Sequence, residues 1–215
     1  MGGGDGEASD EELLEAWRGG DKRAGAALLT RHHASVARFF IHKLGADSDD
    51  LVQATFLGLL EGLDRFRGEA SFRTLLFAIA RNKLYRHLRD LTRDRKRFDP
   101  EVTSVAAIGV TPTSMLAARD QSKLLLEALR TLPLDTQMML ELHYWEKLRI
   151  ADIAAILDMP EGTVKIRMHR GRKQLEDQMA ALAESKELLR TTLHGLSKWA
   201  ARLREEIGER GDEEP

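Results

Sequence analysis

From Asp10 to about Arg97, apolar positions recur at three- and four-residue intervals, the period of a helix that buries one face. Leu13, Leu14 and Trp17 open the pattern. Gly19-Gly20-Asp21 then makes a turn in which Asp21 can cap the next helix. Ala27, Leu28, Val36, Phe39, Phe40, Ile41 and Leu44 predict a long second helix ending at Gly45. A third, from about Ser48 to Arg65, has Leu51, Val52, Phe56, Leu59, Leu60 and Leu63 as its expected buried side. After the loop from Phe66 to Ser71, a fourth runs from Phe72 to about Arg95. No convincing segment alternates with the two-residue period of a strand, so this half reads as a helical bundle.

The period breaks at Phe98. Pro100, Gly109 and Pro112, with Thr111, Thr113 and Ser114, read as a flexible linker carrying at most one short helical turn. A second set of helices follows. Leu124, Leu125, Ala128, Leu129 and Leu132 mark a helix stopped by Pro133, and Met138, Met139, Leu142 and Trp145 mark the next. In LRIADIAAILDMPEGTVKIRMHRGRKQL, Ile150, Ile153, Ala154 and Leu157 form one buried stripe. Asp158 suits a left-handed terminator, and Pro160 and Gly162 punctuate the restart. Val164, Met168, Gly171 and Leu175 give the following helix an apolar back. Its front holds Lys165, Ile166, His169, Arg170 and Lys173, flanked by Arg167 and Arg172, with no acid from Thr163 to Lys173. An apolar-backed, cationic-fronted helix set at an angle by a preceding helix suits the DNA major groove, so a helix-turn-helix is predicted.

The predicted fold is therefore all-α: two small helical domains joined by a flexible linker, the second containing the helix-turn-helix, plus a C-terminal helical extension. The expected boundaries are a disordered acidic N-terminus at 1–9, a first domain at 10–97, the linker at 98–120, a second domain at 121–178 and the extension at 179–215. In the extension, Leu175, Leu182, Leu189, Leu196 and Leu203 recur every seven residues, a seam that can wind on a partner helix or pack back onto the protein.

Charge refines this picture. The formal net charge of −2 alone argues against nucleic acid, but the charges are segregated. Acids crowd both ends, whereas basic tracts run from Arg81 to Arg97 and from Lys165 to Lys173, and phosphate attraction follows the local patch. The absence of cysteine excludes disulfides and thiolate zinc sites. The start, MGGGDGEASDEE, does not read as a secretory signal, and no apolar run has membrane-spanning length. No membrane insertion and a cytoplasmic location are expected. Asp47, Asp49 and Asp50 open a helix, where the macrodipole explains acids without a metal. No Gly-Lys-Ser/Thr phosphate loop or His-Glu zinc motif is present, so no catalytic residue, metal or cofactor is expected.

DSDDLVQATFLGLLEGLDRFRGEASFRTLLFAIARNKLYRHLR, from Asp47 to Arg89, resembles the promoter-melting and core-polymerase-binding domain of bacterial sigma factors of the extracytoplasmic-function (ECF) type, in the sigma-70 family. LRTLPLDTQMMLELHYWEKLRIADIAAILDMPEGTVKIRMHRGRKQL resembles their C-terminal domain, which reads the minus-35 element. The resemblance spans roughly residues 10 to 178. It implies a factor that binds core RNA polymerase, through the clamp helices of the largest subunit and the flap, and directs initiation at promoter DNA. It also admits an anti-sigma factor as a partner. On this resemblance Asp50, Leu51, Gln53 and Phe56 are the expected polymerase contacts. Phe66, Ser71, Phe72, Asn82, Lys83, Arg86 and Arg89 are expected at the minus-10 DNA, where an extruded base needs stacking and hydrogen-bonding groups. Lys165, Ile166, His169 and Arg170 are expected at minus-35 base edges, and Arg167, Arg172 and Lys173 at phosphates. The competing reading is a stand-alone helix-turn-helix regulator that dimerises through the C-terminal heptads.

Overall fold

The computed structural model describes residues 8–45, 48–92, 98–109 and 120–182, and every named element among them is helical. The first group comprises α1 (Asp10–Arg18), α2 (Lys22–Leu44), α3 (Asp49–Gly62) and α4 (Phe72–Leu91). The second comprises α5 (Val105–Ile108), α6 (Asp120–Thr131), α7 (Leu134–Tyr144), α8 (Ile150–Leu157) and α9 (Glu161–Leu182).

Local chemistry sets the ends of these helices. Ser9 and Glu12 form a reciprocal capping box on α1, and the Asp21 side chain accepts from the amides of Arg23 and Ala24 to start α2. Gly20 and Gly45 take the positive φ angles that the two turns require. Between α8 and α9, Asp158 adopts the left-handed conformation with φ 55°, a role its short polar side chain tolerates. Gly25 faces Trp17 so closely that a Cβ there would stand 2.6 Å from the indole, which lets α1 lie down on α2.

Leu28, Val36, Phe40, Leu59, Leu76, Phe77 and Leu84 of the first group and Leu125, Leu129, Met138, Leu142, Ile153 and Val164 of the second are buried in one continuous apolar core. Two sequence expectations need correction. Leu60, assigned to the buried side of the third helix, is 46% exposed, because α3 turns Val52, Thr55 and Leu59 inward and Leu60 falls on the opposite side with Leu57. The start of the expected flexible linker is held against the second group. The Leu134 amide donates to the Thr103 carbonyl and the Asp135 amide to that of Pro100, while Val105 is fully buried. α9 itself runs unbroken to Leu182, with Met179 still buried. Residues 1–7 and the heptads beyond Leu182 lie outside the described residues.

The two groups close on one another, with α2 and α4 packed against α7 and α8. The seam is built from buried charge. Lys43, with no solvent exposure, donates to Glu141 and to the Phe39 carbonyl. Glu146 accepts from Arg38 at 2.7 Å and from Arg73 at 3.1 Å. Arg130 donates to the Lys43 carbonyl at 2.6 Å, Tyr85 donates to Asp135, and Thr74 meets Asp152 at 3.4 Å. Burial lowers the Lys43 pKa and raises that of Asp135; Glu141 opposes the first shift and the Tyr85 hydrogen bond opposes the second.

His42 lies in this seam beside Lys43 and Arg38 on its own helix, facing Glu141 at 3.9 Å and the ring of Trp145. Burial first, and then the two cations, hold its imidazole well below the ordinary 6.5. Above that value the ring is neutral whether the chain is folded or unfolded. Below it the unfolded chain takes a proton that the folded chain refuses, so stability falls with pH. His32, also lowered by burial, acts in the same direction. Denaturant titrations from pH 7.5 to 5.5 should therefore show falling stability, at up to about 1.4 kcal/mol per pH unit for each such group. The slope should be shallower in His42→Gln; equal slopes would contradict the assignment.

Candidate functional site

Three outward faces carry the residues that the sequence singles out. The first is on α9. Val164, Met168, Gly171 and Leu175 turn inward against α6, α7 and α8, so Lys165, Ile166, His169, Arg170, Arg172 and Lys173 are left exposed. Ile166 is 56% exposed, an apolar group held in solvent amid cations. Arg167 behaves differently. Its guanidinium is held by Glu101 of the strap before α5 at 2.9 Å, and that hydrogen bond raises its pKa further. The sequence reading placed Arg167 at phosphates and missed Glu101, because nothing in the pattern signals a partner 66 residues away.

The position of α9 depends on one close approach. A Cβ on Gly171 would stand 2.6 Å from Thr136 Cγ2 of α7.

The second face is α4 with the loop before it. Asn82, Arg86 and Arg89 recur at helical spacing and are exposed. Arg81 donates to the Asn82 side-chain carbonyl at 2.9 Å and lies over the Tyr85 ring, so the Asn82 amide is already oriented. Lys83 is half-buried, its stem lying over Gly58 of α3. The loop forms an open hollow of about 530 Å³ between Arg65, Phe66, Arg67, Ala70 and Leu75. Arg18 of α1 shapes it, donating to the Phe66 carbonyl and lying 5.4 Å from the centre of the Phe66 ring. Sequence reasoning missed Arg18, which is 48 residues from the loop it holds.

Two expected minus-10 contacts are otherwise engaged. Phe72 is only 2% exposed and packs beside His32, so its ring closes the bundle and offers no stacking face. The Ser71 hydroxyl accepts from the Thr74 amide as the α4 cap and bonds the Thr74 hydroxyl at 2.8 Å.

The third face is on α3. Asp50 and Gln53 are exposed, whereas Leu51 and Phe56 are half-buried, Phe56 stacking on His33. Leu57 and Leu60, not singled out as contacts by the sequence reading, are 59% and 46% exposed. Asp50, Gln53, Leu57 and Leu60 follow at steps of three, four and three, so their common side was readable from spacing. An acid-rimmed apolar stripe of this kind suits a protein surface better than a phosphate backbone.

Comparisons with known proteins match both halves of the chain. A sigma-70 region 2 family model matches residues 28–94, and a sigma-70 region 4 model matches residues 122–175. The ECF RNA polymerase sigma-E factor of Haemophilus influenzae is 29% identical over 185 residues, covering 81% of this chain and 97% of that protein. Its counterpart from Escherichia coli is 27% identical, covering 81% and 96%. Among solved structures, CnrH in complex with the cytosolic domain of CnrY aligns with a TM-score of 0.59 at 22% identity, covering 81% of this chain and 99% of the other. The sigma factor RpoE of Bartonella quintana, in complex with the anti-sigma factor NepR, aligns with a TM-score of 0.54 at 23% identity, covering 74% and 97%.

The Gly171 contact yields a test. Alanine should gain up to about 1 kcal/mol in helix propensity but incur an overpacking cost of about 1–3 kcal/mol. Gly171→Ala should thus lower stability and weaken minus-35 DNA binding together. Adding Thr136→Ser, which removes the opposing methyl, should recover both in urea melts and DNA titrations. Failure of that rescue would refute the close approach as the cause.

Region 2 and region 4 occur in order on one chain, and ECF sigma-E relatives align over nearly their whole length: the protein belongs to the sigma-70 family, as a member of its ECF group.

Proposed function

We infer that the chain binds core RNA polymerase and directs initiation at promoters carrying minus-10 and minus-35 elements. The observation that carries this reading is the presence of both sigma regions on one chain. A stand-alone regulator has no use for the region 2 half, and that alternative is not favoured. The protein acts as an initiation factor; the bond-making chemistry belongs to the polymerase it directs. An anti-sigma factor is a further partner, as NepR is for the structurally similar RpoE of Bartonella quintana. No helix among the described residues is long and apolar enough to cross a membrane, and the site of action is the cytoplasm, where polymerase and promoter are.

The α3 stripe docks on the polymerase. Asp50 and Gln53 supply polar contacts, and Leu57 and Leu60 the apolar area, with Leu51 and Phe56 supporting them from the half-buried side. The loop hollow around Phe66 receives an unstacked base, which stacking and edge hydrogen bonds would hold. Asn82, Lys83, Arg86 and Arg89 lie along the strand and duplex beside it. On α9, Lys165, Ile166, His169 and Arg170 meet base edges, where Ile166 suits a thymine methyl and Arg170 a guanine. Arg172 and Lys173 hold phosphates, and Arg167 joins them when Glu101 lets it go.

Run-off transcription with purified core polymerase tests the function: promoter-specific transcripts should appear only when both proteins are present. Asp50→Ala with Gln53→Ala, and separately Leu57→Ser with Leu60→Ser, should weaken competition for core while leaving helical content intact. Unchanged competition in both would remove α3 as the docking face.

The two basic roles on α9 should separate experimentally. Arg170→Ala should relax preference at one base position at a cost of about 1–3 kcal/mol. Lys173→Ala should weaken all promoters alike and reduce the salt slope of binding by about one. Uniform weakening by both would abolish the distinction.

A further inference from the structure

The first helix, α1, lies ahead of the residues that the region 2 model matches, which begin at 28. It is nonetheless fixed along its whole length. Asp10 at its start pairs with Arg31 at 2.8 Å and with His32 at 2.6 Å, Leu14 is buried, and Trp17 lies against Gly25. The side chain that ends it, Arg18, is thereby aimed across the bundle.

Arg18 is exposed, yet it reaches the segment that follows α3. Its guanidinium donates to the Phe66 carbonyl and, at 3.4 Å, to the carbonyl of Leu63, the first residue of the 3-10 turn Leu63–Arg65. A cation is favourable at the carbonyl end of a helix, and a rigid planar fork laid on two carbonyls fixes the backbone between them. The same guanidinium lies 5.4 Å from the centre of the Phe66 ring, within range of a cation–π contact. One side chain thus holds both the backbone and the ring of Phe66.

Phe66 stands between two hollows of different charge. The one of about 530 Å³ has Arg65 and Arg67 on its wall, with Glu69 as the acid beside them. The other, of about 430 Å³, is lined on the α1 side by Glu11, Glu15 and Arg18. A strand that delivers a base also delivers phosphates, so the hollow with Arg65 and Arg67 suits it and the acidic one repels it. Arg18 lines the acidic hollow and so backs Phe66 from there. The opposite face of the ring is left to the hollow that suits DNA. A ring already held in this way loses little freedom when a base arrives, and freedom lost on binding subtracts from affinity.

We propose that Arg18 is a positioning residue for base capture: from α1 it fixes the backbone and ring of Phe66 so that the opposite ring face stacks on the base unstacked from the minus-10 element. The proposal rests on the promoter-directing function and the base-receiving hollow inferred above. Arg18 acts through Phe66 and touches no DNA. In this role α1 becomes part of the promoter reader as well as a cover for α2.

The test uses full-length protein assembled with core polymerase and titrated on promoters whose minus-10 element is already unpaired, so that duplex opening does not enter. One position at a time in the non-template strand is made abasic. With wild-type protein, loss of the base that stacks on Phe66 should cost at least about fivefold in affinity, the low end for one base on an aromatic ring. Arg18→Ala should weaken binding to the intact strand by about threefold or more, the cost of ordering one side chain. On the strand abasic at that position it should bind as the wild type does. Arg18→Lys, which keeps the charge without the fork, should fall between the two. A helix that merely supports the bundle would change both strands alike. Equal weakening of intact and abasic strands, or weakening of neither, overturns the proposal. Should Arg18→Ala fail to fold, the same comparison is read from Arg18→Lys. Wild-type protein that binds every abasic strand as tightly as the intact one removes the base-receiving hollow, and the proposal with it. Wild-type protein silent with core on every promoter overturns the promoter-directing function itself.

Discussion

A lysine with no exposure to water organises this molecule. The Lys43 ammonium belongs to α2 in the first half, and its carboxylate partner, Glu141, belongs to α7 in the second. An unpaired charge in such a place would cost several kcal/mol, roughly the value of a domain's whole margin of stability. The two halves thus satisfy together a need that neither meets alone. The carbonyl of the same lysine accepts from Arg130 of α6, so one residue ties α2 to two helices of the other half. Arg38, Arg73 and Glu146 repeat the arrangement beside it. The relative placement of everything else follows: which side of α4 faces solvent, where α8 rests, and how far α9 stands from α4.

The outward chemistry of each half is set by a simpler rule. An inward apolar stripe at helical spacing fixes which residues face out, and the functional candidates occupy what is left. On α9 the inward stripe is Val164, Met168, Gly171 and Leu175, and the cations take the remainder. On α3 the inward Val52, Thr55 and Leu59 leave Asp50, Gln53, Leu57 and Leu60 outside. One scaffold can therefore present a nucleic-acid face and a protein face without either intruding on the packed interior.

Much of this was legible in the chain itself, and the reason is periodicity. The inward residues of α6, α8 and α9, the cap at Asp21, the left-handed Asp158 and the stop at Gly45 all follow from local pattern and local sterics. Partnerships across long sequence separations were not legible. Arg18 with Phe66, Arg167 with Glu101 and Tyr85 with Asp135 join residues 48, 66 and 50 positions apart, and no spacing rule reaches so far. Phe72 shows the limit from the other side. An aromatic residue after a loop looks the same in sequence whether it points to DNA or to the core, and only the proximity of His32 settles that it points inward. Leu57 was readable and missed, since an apolar residue on an apolar helix draws attention only once its neighbours are known to be buried.

The unbroken course of α9 has a geometric consequence. Its 22 residues carry the DNA-facing end and the stretch through Met179 to Leu182 on one continuous hydrogen-bonded rod, about 33 Å long at 1.5 Å per residue. Such a rod transmits rotation without slack, and each residue advances it by about 100°. Whatever grips the helix near Leu182 therefore grips the azimuth of Lys165 and Arg170 as well. A single residue inserted between Met168 and Leu182 would leave both ends helical and turn one against the other by more than a quarter of a circle. The length of α9, counted in residues, is itself a specification of which way its cations point.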